Sequence, residues 1–214
     1  MIRRIFKQTF DGKEILFFGT IKGLVKEREL LRELVIDFKP ELLLLGISPE
    51  ELKGLHSYLQ DPFEIQPDGY EIIYGLKLKE FGEVGLPVPT YLEAFAISKE
   101  NGIEMIPLDM PEELYSRIYL KKVEFYHLLL LNLRKKKIWK KKFDARSPEE
   151  FVLKWDKEVN KLKPFREIEN EREKYMAKKI KELLKERKEK RLLAIIELER
   201  LYGVLDSLNL LHTI

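Results

Sequence analysis

The stretch "RLLAIIEL", Arg191–Leu198, decides the architecture. It is short, apolar and without helical spacing, and it follows a long charged region, residues 114–190, whose pattern is almost entirely helical. An isolated strand would leave its N–H and C=O groups unpaired, so this one must rejoin strands made earlier in the chain. The expectation is one α/β domain over residues 1–214: a mixed β-sheet flanked by helices, with a helical insertion at about 111–190 before the last strand.

The earlier strands read outward from that requirement. Ile2–Phe10 and Ile15–Phe18 form a hairpin around the Asp-Gly turn of "DGKE", Asp11–Glu14. Lys26–Phe38 has helical periodicity, and after Pro40 the run "ELLLLGIS" is short enough to be a buried strand. "SPEE" at Ser48–Glu51 starts a helix with Ser as N-cap, Pro first and Glu three residues on. Residues 60–70 read as a loop, and Ile72–Phe81 fits either helix or strand. Tyr91–Asn101 is a helix closed by Gly102, and "IEMIPLDM" is a strand. A second "SPEE", Ser147–Glu150, and a long charged helix over Phe165–Lys188 complete the insertion. A last helix, "YGVLDSLNLL", follows the final strand.

Composition narrows the chemistry. The chain has no cysteine, which excludes thiolate metal sites, a cysteine nucleophile and disulfides. Its three histidines, His56, His127 and His212, are far apart in sequence, so neither a metal nor another cofactor is expected. The net charge of +3 implies no polyanionic partner by itself. Lys/Glu/Ile/Leu richness suggests a thermophilic source. The N-terminus lacks a signal-peptide core, and no apolar run approaches the roughly 18–20 residues of a membrane span. A cytoplasmic protein is the expectation.

Several motifs, taken in order, resemble the TraB family, the group related to the Tiki-type metalloproteases. "FFGTIK" (Phe17–Lys22) stands where the family has a strand and "GT-x-H", and "KPELLLLGIS" stands at its second strand. "PTYLEAFAISKENGIEMIPLD" fits the middle helix and strand, with Glu93 and Asp109 at matching positions. "ENEREKYMAKKI" keeps Arg172 and Met176, and "LLAIIELERLYGVLDSL" overlays the last strand and helix. The departures fall on the chemistry. Lys22 replaces the first motif histidine, Gly46–Ser48 replaces an acidic strand end, and Glu197–Arg200 replaces the final "G-x-x-H". The resemblance therefore implies the family's fold without the nitrogen ligands of a metal hydrolase. It points to a pseudoenzyme: a binding or regulatory module.

The resemblance also places Lys22 and Arg200 near one another. Glu197 and Glu199, alternating around Leu198, share one face if that segment is extended. Two outcomes stay open: a Lys22–Glu199–Arg200 ion-pair cluster filling an emptied pocket, or an anion site built from Lys22, Arg172 and Arg200. The enzymatic alternative is a hydrolase with chemistry relocated to Lys22, Glu93 and Glu199. Glu93 is a general base on that reading and otherwise a salt-bridge partner of Arg172. Gly19-Thr20 reads as a turn and helix N-cap or as an anion cradle. Asp109 reads as the N-cap of "MPEEL", with Glu112 closing a capping box.

The block "RKKKIWKKK" is the other feature. Arg134, Lys135, Lys136, Lys137, Lys140, Lys141 and Lys142 surround Trp139, a pattern able to bind nucleic acid or an anionic membrane. The blander account is a solvated helix face. A protein partner, including a second copy, also stays open.

Overall fold

The computed structural model describes residues 2–211. Strands β1 (Ile5–Phe10) and β2 (Lys13–Thr20) pair antiparallel through a two-residue turn, Asp11 at φ 46° and Gly12 at φ 79°. Both residues are left-handed, the twist a tight hairpin demands and the Asp-Gly pair supplies. Helix α1 (Glu27–Phe38) then leads to β3 (Leu42–Leu45), and α2 (Pro49–Gln60), α3 (Gly69–Leu78) and α4 (Pro89–Asn101) precede β4 (Glu104–Pro107). Four further helices, α5 (Glu112–Lys122), α6 (Phe125–Lys140), α7 (Pro148–Val159) and α8 (Lys163–Glu186), lead to β5 (Arg191–Glu197) and α9 (Leu198–Ser207).

The strand order is β1-β2-β5-β3-β4, with every neighbouring pair parallel except the first. The last strand is thus the central one, paired to β2 on one side and β3 on the other, in a mixed sheet flanked by helices. Period-2 alternation divides its buried side chains between two layers. Ile15, Phe17, Leu44, Ala194 and Ile196 pack with residues of α7, α8 and α9, whereas Phe18, Leu43, Leu45, Leu193 and Ile195 pack with those of α1, α2 and α4. Burial on both faces explains why β3 is all leucine and β5 is apolar from Leu192 to Ile196.

Capping chemistry fixes the helix starts. Ser48 Oγ accepts from Glu51 N–H, and Glu51 Oε2 accepts from Ser48 N–H (3.1 and 2.7 Å). The undecided segment 72–81 is helical, because Asp68 and Glu71 make the same reciprocal pair and start α3 at Gly69. At the second "SPEE", Ser147 Oγ accepts from Glu150 N–H, while Glu150 turns to Arg146 N–H instead.

Two expectations fail locally. Asp109 does not cap α5: that helix begins at Glu112, behind Pro111, and Asp109 turns to Arg172. Leu198–Arg200 is not extended, because α9 starts directly at the end of β5. That junction is tight. A Cβ on Gly19 would sit 2.8 Å from Leu201 and 2.9 Å from Leu198, so glycine lets α9 lie against β2. Gly19→Ala is expected to cost about 1–3 kcal/mol, read by urea unfolding. A change within 0.5 kcal/mol would show that the two leucines simply move aside.

Candidate functional site

The carboxyl ends of β2, β5 and β3 meet at a cavity of about 610 Å³. The chain leaves β2 and β3 toward the α1/α4 layer and leaves β5 toward the opposite layer. The connections diverge there and open a crevice, the place where open α/β sheets bind ligands. Lys22 lies two residues beyond β2, Glu197 ends β5, and Glu199 and Arg200 sit in the first turn of α9. Arg172 of α8 reaches the same cavity. Tyr58, Phe63, Tyr70, Tyr74, Tyr91 and Trp155 wall it.

The end of β2 is held from below. Glu27 is buried, and its Oε2 accepts from Ile21 N–H (3.1 Å), Thr20 Oγ1 (3.3 Å) and Arg4 Nη1 (2.6 Å). Thr20 also hydrogen-bonds Thr90 (2.8 Å). These contacts make Gly19-Thr20 a locked strand end that delivers Lys22. Gly46, just past the end of β3, has little room for a side chain. A Cβ there would lie 3.1 Å from Ile196 Cα, so a side chain is crowded by β5.

The three cations in the cavity are each accompanied by carboxylates. Lys22 Nζ lies 3.6 Å from Glu71 and 3.9 Å from Glu197, too far for tight pairing with either. The Glu197 charge raises the Lys22 pKa against the lowering effect of burial. Arg172 donates Nε to Asp109 (2.9 Å) and Nη1 to Glu169 (3.1 Å). Arg200 donates Nη1 to Asp156 (2.8 Å) and places Nε 2.6 Å from Glu169. Arg166 closes the chain on Asp156 (2.8 Å). Burial opposes charge on both cavity arginines, and Glu169, with Asp109 or Asp156, overcomes it.

Glu199 is different. Its Oε2 is buried without a hydrogen-bond partner. Burial, reinforced by the charge of Glu197, pushes its pKa up to about 8, while Arg200 pulls the other way. The Tyr91 hydroxyl is likewise buried and unpartnered, and burial raises its pKa well above the usual phenol value. Unpartnered buried polar atoms in a cavity are places where a bound molecule gains most.

The structure therefore brings Lys22, Arg172, Glu199 and Arg200 to one cavity and leaves Glu93 out. Glu93 sits on α4 facing α1, where Arg28 (2.6 Å) and Arg32, one helical turn apart, clamp it. It is neither a base in the cavity nor the partner of Arg172. The expected Lys22–Glu199–Arg200 cluster is also absent in that form, since Arg200 pairs with Asp156 and Glu169, and Lys22 approaches Glu197 and Glu71. Sequence reasoning missed Glu71, Tyr91, Asp156 and Glu169. Only Glu71 carried a signal, as the third residue after the Asp68 cap.

Lys22 and Arg200 put two cationic side chains into the cavity lining. Among the described residues, no three of His, Asp and Glu converge as a metal ligand set. His127 is buried at the start of α6, its Nδ1 accepting from Glu124 N–H, His56 meets the Phe95 ring edge to face, and His212 lies outside the described residues.

The basic block divides between structure and surface. Arg134 donates to the carbonyl and Oε1 of Glu158 (2.7 Å each), and Lys141 pairs with the same carboxylate. Lys135 lies over the Tyr70 ring and Ile138 is buried. Lys136, Lys137, Trp139, Lys140 and Lys142 are exposed. Among the described residues, no helix is long and apolar enough to cross a membrane. No family model matches the chain, and neither does any curated protein.

Proposed function

We propose that the chain is a TraB-like binding module whose cavity takes a small organic cation, an amine or guanidinium carried on an apolar body. The supporting observation is the unpartnered Oε2 of Glu199 at the floor of an aromatic-walled cavity. Aromatic faces attract cations, and a carboxylate supplies the opposing charge. An anion is the poorer guest, since Arg172 and Arg200 already face Asp109, Glu169 and Asp156.

Binding of a cation requires Glu199 to release its proton, so affinity rises with pH by up to about tenfold per unit below 8. The expected result is a melting temperature raised by benzylamine but not by benzoate or inorganic phosphate. Glu199→Gln loses the effect. Lys22→Ala, which removes a competing ammonium, strengthens it. Stabilisation by phosphate that disappears in Lys22→Ala would instead establish the anion site and sink the proposal.

A second reading rests on the Glu197–Glu199 pair. Both carboxyls line the cavity, and burial keeps the Glu199 carboxyl protonated up to about pH 8, so Glu199 can serve as an acid beside Glu197. Turnover of a bound compound with an alkaline limb near pH 8, abolished in Glu199→Gln, would favour this relocated Lys/Glu hydrolase over a binding module.

A further inference from the structure

Helix α6 carries an outward surface that the cavity does not use. Phe125, Leu129 and Leu133 recur every fourth residue on its solvent side, with Phe125 74% and Leu133 70% exposed. Tyr126 adds to this face, and Leu120, 79% exposed, stands near the end of α5 just before it. The opposite side is fixed: His127 and Ile138 are buried, and Tyr70 donates its hydroxyl to the Leu131 carbonyl (2.7 Å). One or two turns further on, the same outward side changes to Lys136, Lys137 and Lys140, beside exposed Trp139. None of these lysines, nor Lys142, has an acidic partner among the described residues. The helix is therefore divided along its axis, apolar in its first half and cationic in its second, over about 24 Å.

We propose that α6 docks the protein on an anionic lipid surface, its apolar half entering the acyl boundary and its lysines meeting headgroup phosphates. Such a surface answers both halves at once. Interfacial helices bury leucine and aromatic side chains while lysines and an indole sit at headgroup depth. A nucleic acid would engage the lysines and Trp139 but leave Phe125, Leu129 and Leu133 in water. A second copy would cover the leucines but bring another cationic block and no anion for the first. Helix α6 is too short and too charged to span, so it lies on the bilayer rather than crossing it.

The test is flotation of the full chain with vesicles of phosphatidylcholine alone and with 30% phosphatidylserine, with tryptophan emission read alongside. The expected result is binding to the anionic vesicles only, a blue shift from exposed Trp139, and release at high salt. Lys136→Ala with Lys140→Ala should weaken binding about 30-fold. Leu129→Ser with Leu133→Ser should weaken it tenfold or more while leaving the circular dichroism unchanged. Equal binding to neutral vesicles, or no binding to either, overturns the proposal. So does dimerisation lost in the leucine variant without any vesicle binding. DNA binding that ignores the leucines, again without vesicle binding, overturns it too.

Discussion

Replacing Glu169 by alanine is expected to lower the melting temperature by about 6–20 °C. Glu169 is buried and lies against both Arg172 and Arg200, which approach from α8 and α9. Removing one partner of a buried pair costs about 3–5 kcal/mol, because the remaining charges stay desolvated. In a protein of this size each kcal/mol is about 2–4 °C. Glu169→Gln, which keeps an acceptor of the same shape, should lose much less. A drop of under 2 °C for the alanine variant would mean that water already reaches both arginines. The Asp109–Arg172–Glu169–Arg200–Asp156–Arg166 chain need not stabilise the fold relative to an apolar core. It joins the end of β4 to α7, α8 and α9, and so positions two sides of the cavity.

The second large effect is a pH dependence. The Glu199 carboxyl has its folded pKa raised from 4.5 to about 8, so between those values the native state keeps a proton that the unfolded chain releases. Stability therefore falls as pH rises through that window, by up to about 1.4 kcal/mol per pH unit, and the loss is absent below pH 4.5. Glu199→Gln cannot ionise, so its unfolding free energy should exceed that of wild type by a margin that opens above pH 5 and levels off near 8. Glu173, raised to about 7 chiefly by burial, adds a similar slope that ends earlier, and it is unaffected by the Glu199 substitution. Urea titrations at pH 5, 7 and 9 read both. A margin that does not change with pH would sink the assignment of a neutral Glu199.

Local chemistry made most of the fold legible. The Asp-Gly turn, both "SPEE" starts, the leucine run at β3 and the apolar return at β5 each announce themselves within a few residues. The site was legible only in outline. The resemblance put Lys22 and Arg200 together, and they do share one cavity, each following the end of one of two paired parallel strands, β2 and β5. Glu93 could not be placed: it faces α1 rather than the cavity because Arg28 and Arg32, more than sixty residues upstream, stand opposite it. Asp109 was misread because Pro111 moves the helix start, which frees the carboxylate for Arg172. Glu197 and Glu199 share the cavity for a reason that extended alternation does not supply, namely an abrupt strand-to-helix junction made possible by Gly19.

The central place of β5 has a consequence during synthesis. Until residues 191–197 are made, the only pairings of this sheet open to the chain are β1 with β2 and β3 with β4, whose inner edges both lack their β5 partner. Those edges are open templates for pairing with other chains, and closing them needs contacts of very long sequence separation. The two halves of the sheet are joined by β5, and the cavity floor is completed with it, since Glu197, Glu199 and Arg200 arrive on the same segment. A nascent chain interrupted before Arg191 has nearly all of its helices and no site.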